Sequence, residues 1–335
     1  MVSYLKGKNI LITGGTGSIG QALAKKALLD GAKIVKIFSN DENGQYDMEL
    51  ELAQDKRLVF LIGDIRDEDR MNYIVKGVDI VFHAAALKHV DRCEYNPFEA
   101  VAVNILGTKN VISAALNESV KKVIFISTDK SVNPVSVMGG TKLLAEKMIS
   151  AETFHNNSKV VFSSVRFGNV LNTRGSIIPR IEKQIQKGGP VTLTDKRMVR
   201  FFVTQEDAVK LIITATELAK GGEIFVLKMP LVRLSDLFEM MKQVLAPKYG
   251  FKPSRIKTKI IGMKPGEKLI EDILTDLEMS HVLETKEFFI IPPNLDVTTK
   301  NNYLGAKVPT NIRQQLKNMR ILKKDEVLKM LKKIY

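Results

Sequence analysis

The sequence predicts an α/β fold in which a doubly wound parallel sheet is joined to a smaller C-terminal lobe. Two observations support this fold class. Short apolar runs alternate with helical patterns through the first half of the 335 residues, and most runs are separated by enough chain for a right-handed crossover. After about residue 168, glycine and proline become frequent and the alternation loosens, which indicates a second lobe.

Each element follows from its local pattern. Strands are predicted at 8–13, 33–38, 57–62, 78–85, 121–128 and 159–167. Helical patterns predict helices at 18–30, 97–117 and 137–153. In the looser part we expect helices at 177–187 and 205–219, strands at 223–227 and 256–261, and an amphipathic helix at 324–334.

The composition excludes several classes of protein. Lys and Arg outnumber Asp and Glu by 51 to 37, giving a net charge of +14, but the lysines are scattered, so we expect attraction of anionic substrates and no nucleic-acid binding. Cys93 is the single cysteine, so an internal disulfide and a Cys-based zinc site are impossible, and the histidines lack metal-ligand spacing. Because no run of about 18 apolar residues occurs, we expect no membrane span and a cytoplasmic location.

A glycine-rich turn lies between the first strand and the first helix. Gly14 permits the tight turn, Gly17 lets backbone N–H groups approach a pyrophosphate, and Gly20 lets the helix pack close to the strand. The N-terminus of the helix then faces the phosphates with its partial positive charge. The turn therefore predicts a Rossmann-like, dinucleotide-binding domain over 1–168, with phosphate contacts from Gly14, Thr16, Gly17, Ser18, Ile19 and Gly20.

The ends of the next strands bear on the rest of that cofactor. Ser39 and Asn40 are neutral donors that could accept a 2′-phosphate, whereas Asp41 could bind the adenosine ribose, so NADP and NAD both stay open. Asp64 follows the third strand, where a carboxylate can bind an adenine amine. The fourth strand ends in the small residues Ala84, Ala85 and Ala86, which let the backbone pass close to the cofactor.

Polar residues follow the fifth strand, where we expect the chemistry. Thr128, Asp129 and Lys130 come directly after it, and the C-terminal ends of strands face the ligand crevice of an open α/β sheet. These side chains should therefore share a cleft with the dinucleotide. Met138 and Lys142 are four residues apart on the following helix, so they lie on one face of it.

This pattern resembles the extended short-chain dehydrogenase/reductase family. That family places Ser or Thr at the strand end and Tyr-x-x-x-Lys on the helix. Thr128 and Lys142 match, but Met138 stands at the tyrosine position, and no tyrosine occurs between Tyr95 and Tyr249. A thioether neither donates nor accepts a catalytic proton, so a Tyr-dependent alcohol dehydrogenase is not expected.

Longer strings narrow the resemblance. AALKHV at 85–90, EYNP at 94–97, STDKSVNP at 127–134, RFGNV at 166–170, TRGS at 173–176 and KPGEK at 264–268 occur together in this order. They are similar to the polysaccharide-biosynthesis group of UDP-N-acetylglucosamine 4,6-dehydratases over about residues 6–275. Some members of that group carry Met where others carry Tyr, so Met138 favours this branch.

The resemblance implies an internal redox cycle in which a hydride leaves C4 of the hexose for NADP, with NAD not excluded, and returns to C6. Lys130 is implied as the C5 base and Asp129 as the acid at the C6 hydroxyl. Lys142 is implied to hold the nicotinamide ribose and to act with Thr128 on the 4-hydroxyl, while Met138 packs near the nicotinamide. Further cofactor contacts are implied for Ile65, Lys88 and Val170, and UDP-sugar contacts for Lys88, Asn169, Arg174, Arg200, Lys264 and Glu267.

The resemblance also bears on organisation. It implies a substrate-binding lobe at 169–295 that interleaves with the end of the sheet, a C-terminal extension at 296–335, and a homo-oligomer, expected to be a hexamer. A UDP-sugar 4-epimerase on the same fold is the nearest alternative, because it needs oxidation at C4 only. A non-catalytic dinucleotide-sensing or nucleic-acid-associated protein is the alternative from another class, suggested by the net charge.

Overall fold

Parallel strands form the centre of a nine-stranded sheet in the computed structural model, which describes residues 3–52, 55–155, 160–293, 303 and 305–335. The parallel strands are β1 (Asn9–Thr13), β2 (Ile34–Ser39), β3 (Leu58–Ile62), β4 (Ile80–His83), β5 (Lys122–Ile126), β6 (Val161–Arg166) and β10 (Ile224–Leu227). Their order in the sheet, β3-β2-β1-β4-β5-β6-β10, is that of a doubly wound fold, with the order reversing between β1 and β4. The predicted fold class is confirmed.

Two short strands that the sequence analysis did not predict complete one edge of this sheet. Strand β14 (Phe288–Ile291) pairs antiparallel with β10, and β13 (Leu283–Glu284) pairs antiparallel with β14. The sheet is therefore mixed at this edge, which is a common feature of large doubly wound sheets.

Helices cover both faces of the sheet because its strands are apolar on both sides. Along β1, Ile10 and Ile12 join one buried apolar cluster, while Leu11 joins the other. The helices on the two faces are α1 (Ser18–Leu29), α2 (Glu42–Leu52), α3 (Glu68–Val75), α6 (Gly107–Asn117), α7 (Val137–His155) and α9 (Gln205–Leu218). The first cluster includes residues of α1 and α9, and the second includes residues of α3, α6 and α7.

The helix predicted at 97–117 is interrupted. It begins with α5 (Pro97–Val101), continues through a π-helical turn over Ala102–Leu106, and ends with α6. A separate short helix, α4 (Val90–Tyr95), precedes it. The π turn presents the buried Asn104, whose side chain bonds both the N–H and the carbonyl of Leu87. This turn thereby fixes the chain that leaves β4.

The second lobe has its own apolar core. Helices α8 (Ile177–Gln186), α10 (Leu234–Leu245) and α13 (Lys324–Leu331) pack into one buried cluster. The lobe also contains the strands β7 (Asn169–Val170), β8 (Val191–Leu193), β9 (Val199–Val203), β11 (Leu231–Arg233) and β12 (Thr258–Ile260). These strands form two small sheets with the orders β11-β9-β7 and β12-β8. The short helices α11 (Asp276–Met279) and α12 (Ile312–Lys317) pack instead against the first cluster of the large sheet.

Elements from the segments predicted as separate lobes pack together. Helix α9 and strands β10, β13 and β14 come from the segment 169–295 and belong to the large sheet or its cover, while α13, from the predicted extension, packs into the second lobe. The predicted boundary between 295 and 296 lies outside the described residues.

Candidate active site

The glycine-rich turn packs against the end of β4. Gly14 has φ +64°, and a Cβ at this position would lie 2.7 Å from the Cα and N of Ala85. A Cβ on Gly20 would lie 2.6 Å from the carbonyl oxygen of Gly14, so the helix α1 sits directly on the turn. Helix α1 begins at Ser18, and Gly17 before it has no side chain to cap its N–H groups. The turn thus fits the diphosphate of a dinucleotide.

The other predicted residues of this turn have defined partners. Thr16 Oγ1 and Ser39 Oγ share a 2.8 Å hydrogen bond, and the N–H of Asp41 donates to Ser39 Oγ at 3.1 Å. Ile19 packs against the apolar cluster beneath α1. The turn is therefore tied to the end of β2, where the adenosine end of a dinucleotide is expected.

Asp41 is covered by a residue that we expected at the sugar. The Arg174 guanidinium donates to Asp41 Oδ2 at 2.6 Å, and the backbone N–H of Arg174 donates to Ser18 Oγ at 2.9 Å. The Arg174 hydrogen bond and the Gly44 N–H lower the pKa of Asp41. The loop around Arg174 therefore lies across the glycine-rich turn, and the Arg174 guanidinium faces the end of β2.

Asp64 is held at the end of β3. Asn40 Nδ2 donates to Asp64 Oδ2 at 3.1 Å, and the Arg66 guanidinium contacts both carboxylate oxygens. The Arg66 hydrogen bonds lower the pKa of Asp64. The neighbouring Ile65 is buried, and a Cβ on Gly107 would lie 2.6 Å from its Cδ1. Ile65 thus packs tightly against the start of α6.

His83 joins the ends of β1 and β4 from within the core. Its Nδ1 lies 2.7 Å from Thr13 Oγ1, and its Nε2 lies 3.0 Å from Thr108 Oγ1. Burial, together with the charge of Lys142, lowers the pKa of His83 to about 3, so the ring is neutral. The partly buried Ala84, Ala85 and Ala86 follow directly, and their small side chains leave the cleft open beside the phosphate turn.

The turn after β5 gathers the predicted acid and base. Asp129 is fully buried, and its Oδ1 accepts hydrogen bonds from Thr128 Oγ1 at 3.0 Å and from Lys130 Nζ at 2.9 Å. Among the described residues, Asp129 Oδ2 has no hydrogen-bond partner. Lys130 also donates to Asn169 Oδ1 at 3.3 Å, which brings β7 to the same place. A buried carboxylate with one open oxygen beside a lysine is an arrangement for proton transfer.

Two charged residues from the second lobe approach this pair. Glu271 is buried, and its Oε1 lies 3.9 Å from Lys130 Nζ and 3.8 Å from Arg200 Nε. Arg200 is itself buried and donates to the carbonyls of Val199, Lys268 and Leu269. The sequence analysis predicted Arg200 as a sugar ligand and missed Glu271.

A buried ion network supports the turn from below. The Arg166 guanidinium bonds both oxygens of Glu146 and both oxygens of Glu278 at distances between 2.7 and 3.2 Å. Ser131, within the 129–131 turn, bonds Glu146 Oε1 at 2.9 Å and the carbonyl of Thr128 at 2.7 Å. The sequence analysis did not single out these residues, because each charge is satisfied only by a partner that is distant in the chain.

Met138 and Lys142 are both buried on α7. Met138 packs with Cys93 and Ala100 in a small apolar cluster. Lys142 Nζ donates to the carbonyl of Ile126 at 2.8 Å and lies 4.3 Å from the centre of the Phe125 ring. Burial lowers the pKa of Lys142 to about 8. Lys142 is therefore poised to lose or gain a proton near neutral pH, at the end of β5.

The remaining predicted sugar ligands lie around the rim. Lys88 Nζ donates to the carbonyl of Arg174 at 2.7 Å, and desolvation lowers its pKa, assisted by the charge of Arg174. Lys264 Nζ donates to Asp91 Oδ2 at 3.3 Å, while Glu267 accepts the N–H of Lys264. Val170, predicted as a cofactor contact, is buried beside Asn169 in β7. The loop around Arg174 therefore connects the glycine-rich turn to Lys88.

Two features are absent from the described part of the chain. No group of three or more His, Cys, Asp or Glu there could hold a metal ion. No helix there is both long and apolar enough to cross a lipid bilayer.

The chain has a glycine-rich turn after β1, adjacent Asp129 and Lys130 after β5, and Thr128 and Lys142 near the end of the same strand. On one doubly wound sheet, this arrangement defines an extended short-chain dehydrogenase/reductase. Within that class, the model of the family described as "Polysaccharide biosynthesis protein" matches residues 10–293. The chain belongs to this family.

Relatives with several names are similar to most of the chain. "Uncharacterized membrane protein MJ1061" of Methanocaldococcus jannaschii is 50% identical over 99% of this chain and 97% of its own length. "UDP-N-acetylglucosamine 4,6-dehydratase (inverting)" of Campylobacter jejuni is 39% identical over 90% of this chain and 89% of its own length. "UDP-glucose 4-epimerase" of Rickettsia akari is 39% identical over 85% and 83%, respectively.

A solved structure supports the same grouping. The X-ray structure of Pen from Bacillus thuringiensis is 40% identical and superimposes with a TM-score of 0.90, covering 98% of each chain. The fold described above therefore extends over almost the whole length of both proteins.

Proposed function

We propose that this protein is a 5-inverting UDP-N-acetylglucosamine 4,6-dehydratase that uses NADP. The observation that carries the proposal is the ion pair of the buried Asp129 with the partly buried Lys130 at the end of β5, because an enzyme that only oxidises C4 has no need of it. The Campylobacter relative of that name covers most of the chain and supports the same reaction.

The residues present fit a nicotinamide dinucleotide. The diphosphate would be held by the turn from Gly14 to Gly20, which a side chain at Gly14 would fill. Ser39 and Asn40 lie at the adenosine end with Arg174, whose cation suits the 2′-phosphate of NADP. When bound, a nicotinamide would supply the hydride transfer away from C4 of the sugar and back to C6.

Thr128 and Lys142 would release the proton of the C4 hydroxyl. The thioether of Met138 is not a base, so this task falls to the hydroxyl at the strand end and to the lysine on α7. A lysine with a pKa of about 8 is partly neutral at neutral pH and can therefore accept a proton there. Loss of that proton allows C4 to become a ketone, which acidifies the C5 proton.

Lys130 and Asp129 would then carry out the elimination. Their 2.9 Å contact lets one proton pass from the Lys130 ammonium to the Asp129 carboxylate, leaving an amine and a carboxylic acid. The amine removes the C5 proton while the acid protonates the C6 hydroxyl, which leaves as water as the C5–C6 double bond forms. Reprotonation of C5 from the opposite face accounts for inversion.

Binding of the UDP-sugar falls to residues of the second lobe and the rim. Asn169 is within 3.3 Å of Lys130 Nζ and is suited to orient the sugar. Lys88 and Lys264 supply positive charge for the diphosphate, and Glu267 fixes the turn that carries Lys264. Arg200 would act by holding the backbone at 268–269.

A homo-oligomer, expected to be a hexamer, belongs to the same proposal. Large apolar side chains are exposed on and beside α4 to α7, including Tyr95, Phe98, Leu106 and Leu144. Exposed apolar residues on neighbouring elements favour a protein–protein contact. Light scattering on the purified chain measures the assembly, and a monomer at micromolar concentration would contradict it.

Mass spectrometry of the product from UDP-N-acetylglucosamine and NADP tests the reaction. We expect a product lighter by one water. A UDP-sugar 4-epimerase is the second candidate, supported by the Rickettsia relative, and would leave the mass unchanged. Lys130→Ala should abolish the loss of water, whereas survival of dehydration in this variant would show that the assigned roles are wrong.

A further inference from the structure

A third carboxylate, Glu271, lies beside the acid–base pair and has no role in the proposed function. Its side chain is 5% exposed, and its Oε1 lies 3.9 Å from Lys130 Nζ and 3.8 Å from Arg200 Nε. Both distances are too long for hydrogen bonds, so these contacts are between charges. Burying a carboxylate costs free energy unless nearby cations compensate it.

The position of Glu271 is fixed by both lobes. Lys268 Nζ donates to the carbonyl of Val132, directly after the 129–131 turn, at 3.0 Å. On the other side, Ile270 forms a bridge with Val199, and Arg200 donates to the carbonyls of Lys268 and Leu269. The segment 268–271 is therefore anchored both to the end of the 129–131 turn and to β9.

Four charged groups act on Glu271. Burial raises its pKa, as does the negative charge of Asp129, whereas Lys130, Arg200 and Lys268 lower it, and the net shift is upward. A carboxylic acid nevertheless loses its proton well below the pH range in which a lysine does. The three cations Lys130, Arg200 and Lys268 face this one buried carboxylate and favour its charged form.

We propose that Glu271 is the positioning residue of Lys130 and that its carboxylate stabilises the ammonium group formed when Lys130 removes the C5 proton. The proton moves from C5 to Nζ, the C5 electron pair forms the double bond to C6, and water leaves with the proton of Asp129. Glu271 forms no bond in this step and acts through charge alone. A carboxylate that steadies the cation formed on a general base has the same role in Ser-His-Asp triads.

The part of this inference that concerns the C5 proton rests on the proposed function, whereas the charge contact does not. The test therefore measures the proton affinity of Lys130 directly. The full-length chain is labelled with a trace of acetic anhydride at a series of pH values, and mass spectrometry of the peptide containing Lys130 gives the pH at which its amine becomes reactive.

Glu271→Gln should move that pH downward by about 1–3 units, because an anion about 4 Å from the ammonium group is lost. The same variant should lose about tenfold or more in kcat while KM for UDP-N-acetylglucosamine changes by less than about threefold. Glu271→Asp keeps the negative charge at a greater distance from Lys130. Its labelling pH and its kcat should therefore lie between those of the wild type and those of Glu271→Gln.

Asp272→Asn is the matched control, since this neighbouring carboxylate is exposed and contacts Lys268 instead of Lys130. It should leave the labelling of Lys130 unchanged. If the pH at which the Lys130 amine becomes reactive is the same in Glu271→Gln as in the wild type, the inference is overturned. If Glu271→Gln does not fold, an unchanged pH in Glu271→Asp overturns it. If Glu271→Gln shifts the labelling pH of Lys130 but the wild-type chain removes no water from UDP-N-acetylglucosamine, the proposed function is overturned and the charge contact stands.

Discussion

Replacing Arg166 by Met should destabilise the protein strongly at neutral pH. Arg166 is 1% exposed and is the cation shared by the buried carboxylates of Glu146 and Glu278. Removing one partner from such a network typically costs about 3–5 kcal/mol, because the remaining charges stay buried without compensation. In a chain of this length that corresponds to a fall in melting temperature of about 4–7 °C.

The loss of stability in Arg166→Met should become smaller as the pH falls. In the wild type, burial raises the pKa of Glu278, but the charge and hydrogen bonds of Arg166 outweigh burial and lower it. A lowered carboxyl pKa adds stability above its unfolded value, near 4.5, and that stability is lost as the pH falls through the folded value. The difference between wild type and variant should therefore be full at pH 7 and shrink as the pH falls below about 4.5.

Thermal unfolding followed by circular dichroism at several pH values measures both effects. Arg313→Met is the matched control, because Arg313 and its partner Asp276 are both exposed, and its removal should cost no more than about 0.5 kcal/mol. If Arg166→Met shifts the melting temperature at pH 7 no more than the control does, the network does not stabilise the turn as argued.

Three further predictions concern the cofactor and α7. Gly14→Ala should weaken NADP binding about tenfold or more in calorimetric titration, because its Cβ would meet the backbone of Ala85 at 2.7 Å; unchanged affinity would contradict this cradle. Lys142 has a folded pKa of about 8 and an ordinary value of 10.5, so wild-type stability should rise with pH between these values by at most about 3 kcal/mol. Lys142→Met should lack that rise in urea unfolding, and a rise that persists would rule out Lys142 as its source. Arg174→Ala should weaken NADP binding more than NAD binding, by about three- to tenfold, because the cation beside Asp41 is lost; equal losses would contradict its role at the 2′-phosphate.

Much of the sheet was predictable because its signals are local. The runs that became β1, β2, β4, β5 and β6 are short, rich in apolar and β-branched residues and mostly buried, which is typical of parallel strands covered on both faces. The turn containing Gly14 lies between a strand and a helix, so its context is also local. By contrast, β13 and β14 are short and pair antiparallel at the sheet edge, and a pairing partner distant in the chain leaves no local pattern.

The site could be predicted in part for the same reason. Asp129 and Lys130 are adjacent in the chain and follow a strand, so sequence placed them at the crevice. Glu271 reaches Lys130 only when the second lobe folds onto the first. Its one local signal is the acidic pair Glu271 and Asp272, which lies between apolar residues after the KPGEK string. Arg174 was expected at the sugar, and its hydrogen bond to Asp41 depends on a loop crossing that spacing does not encode.

The central claim is that the Asp129–Lys130 pair removes the C5 proton and expels the C6 hydroxyl. Turnover of UDP-N-acetylglucosamine with NADP in deuterium oxide, followed by mass spectrometry and NMR, tests it most directly. We predict a product that has lost one water and carries solvent deuterium at C5, and neither change in the Lys130→Ala variant. A wild-type product of unchanged mass that retains the original hydrogen at C5 would contradict the claim.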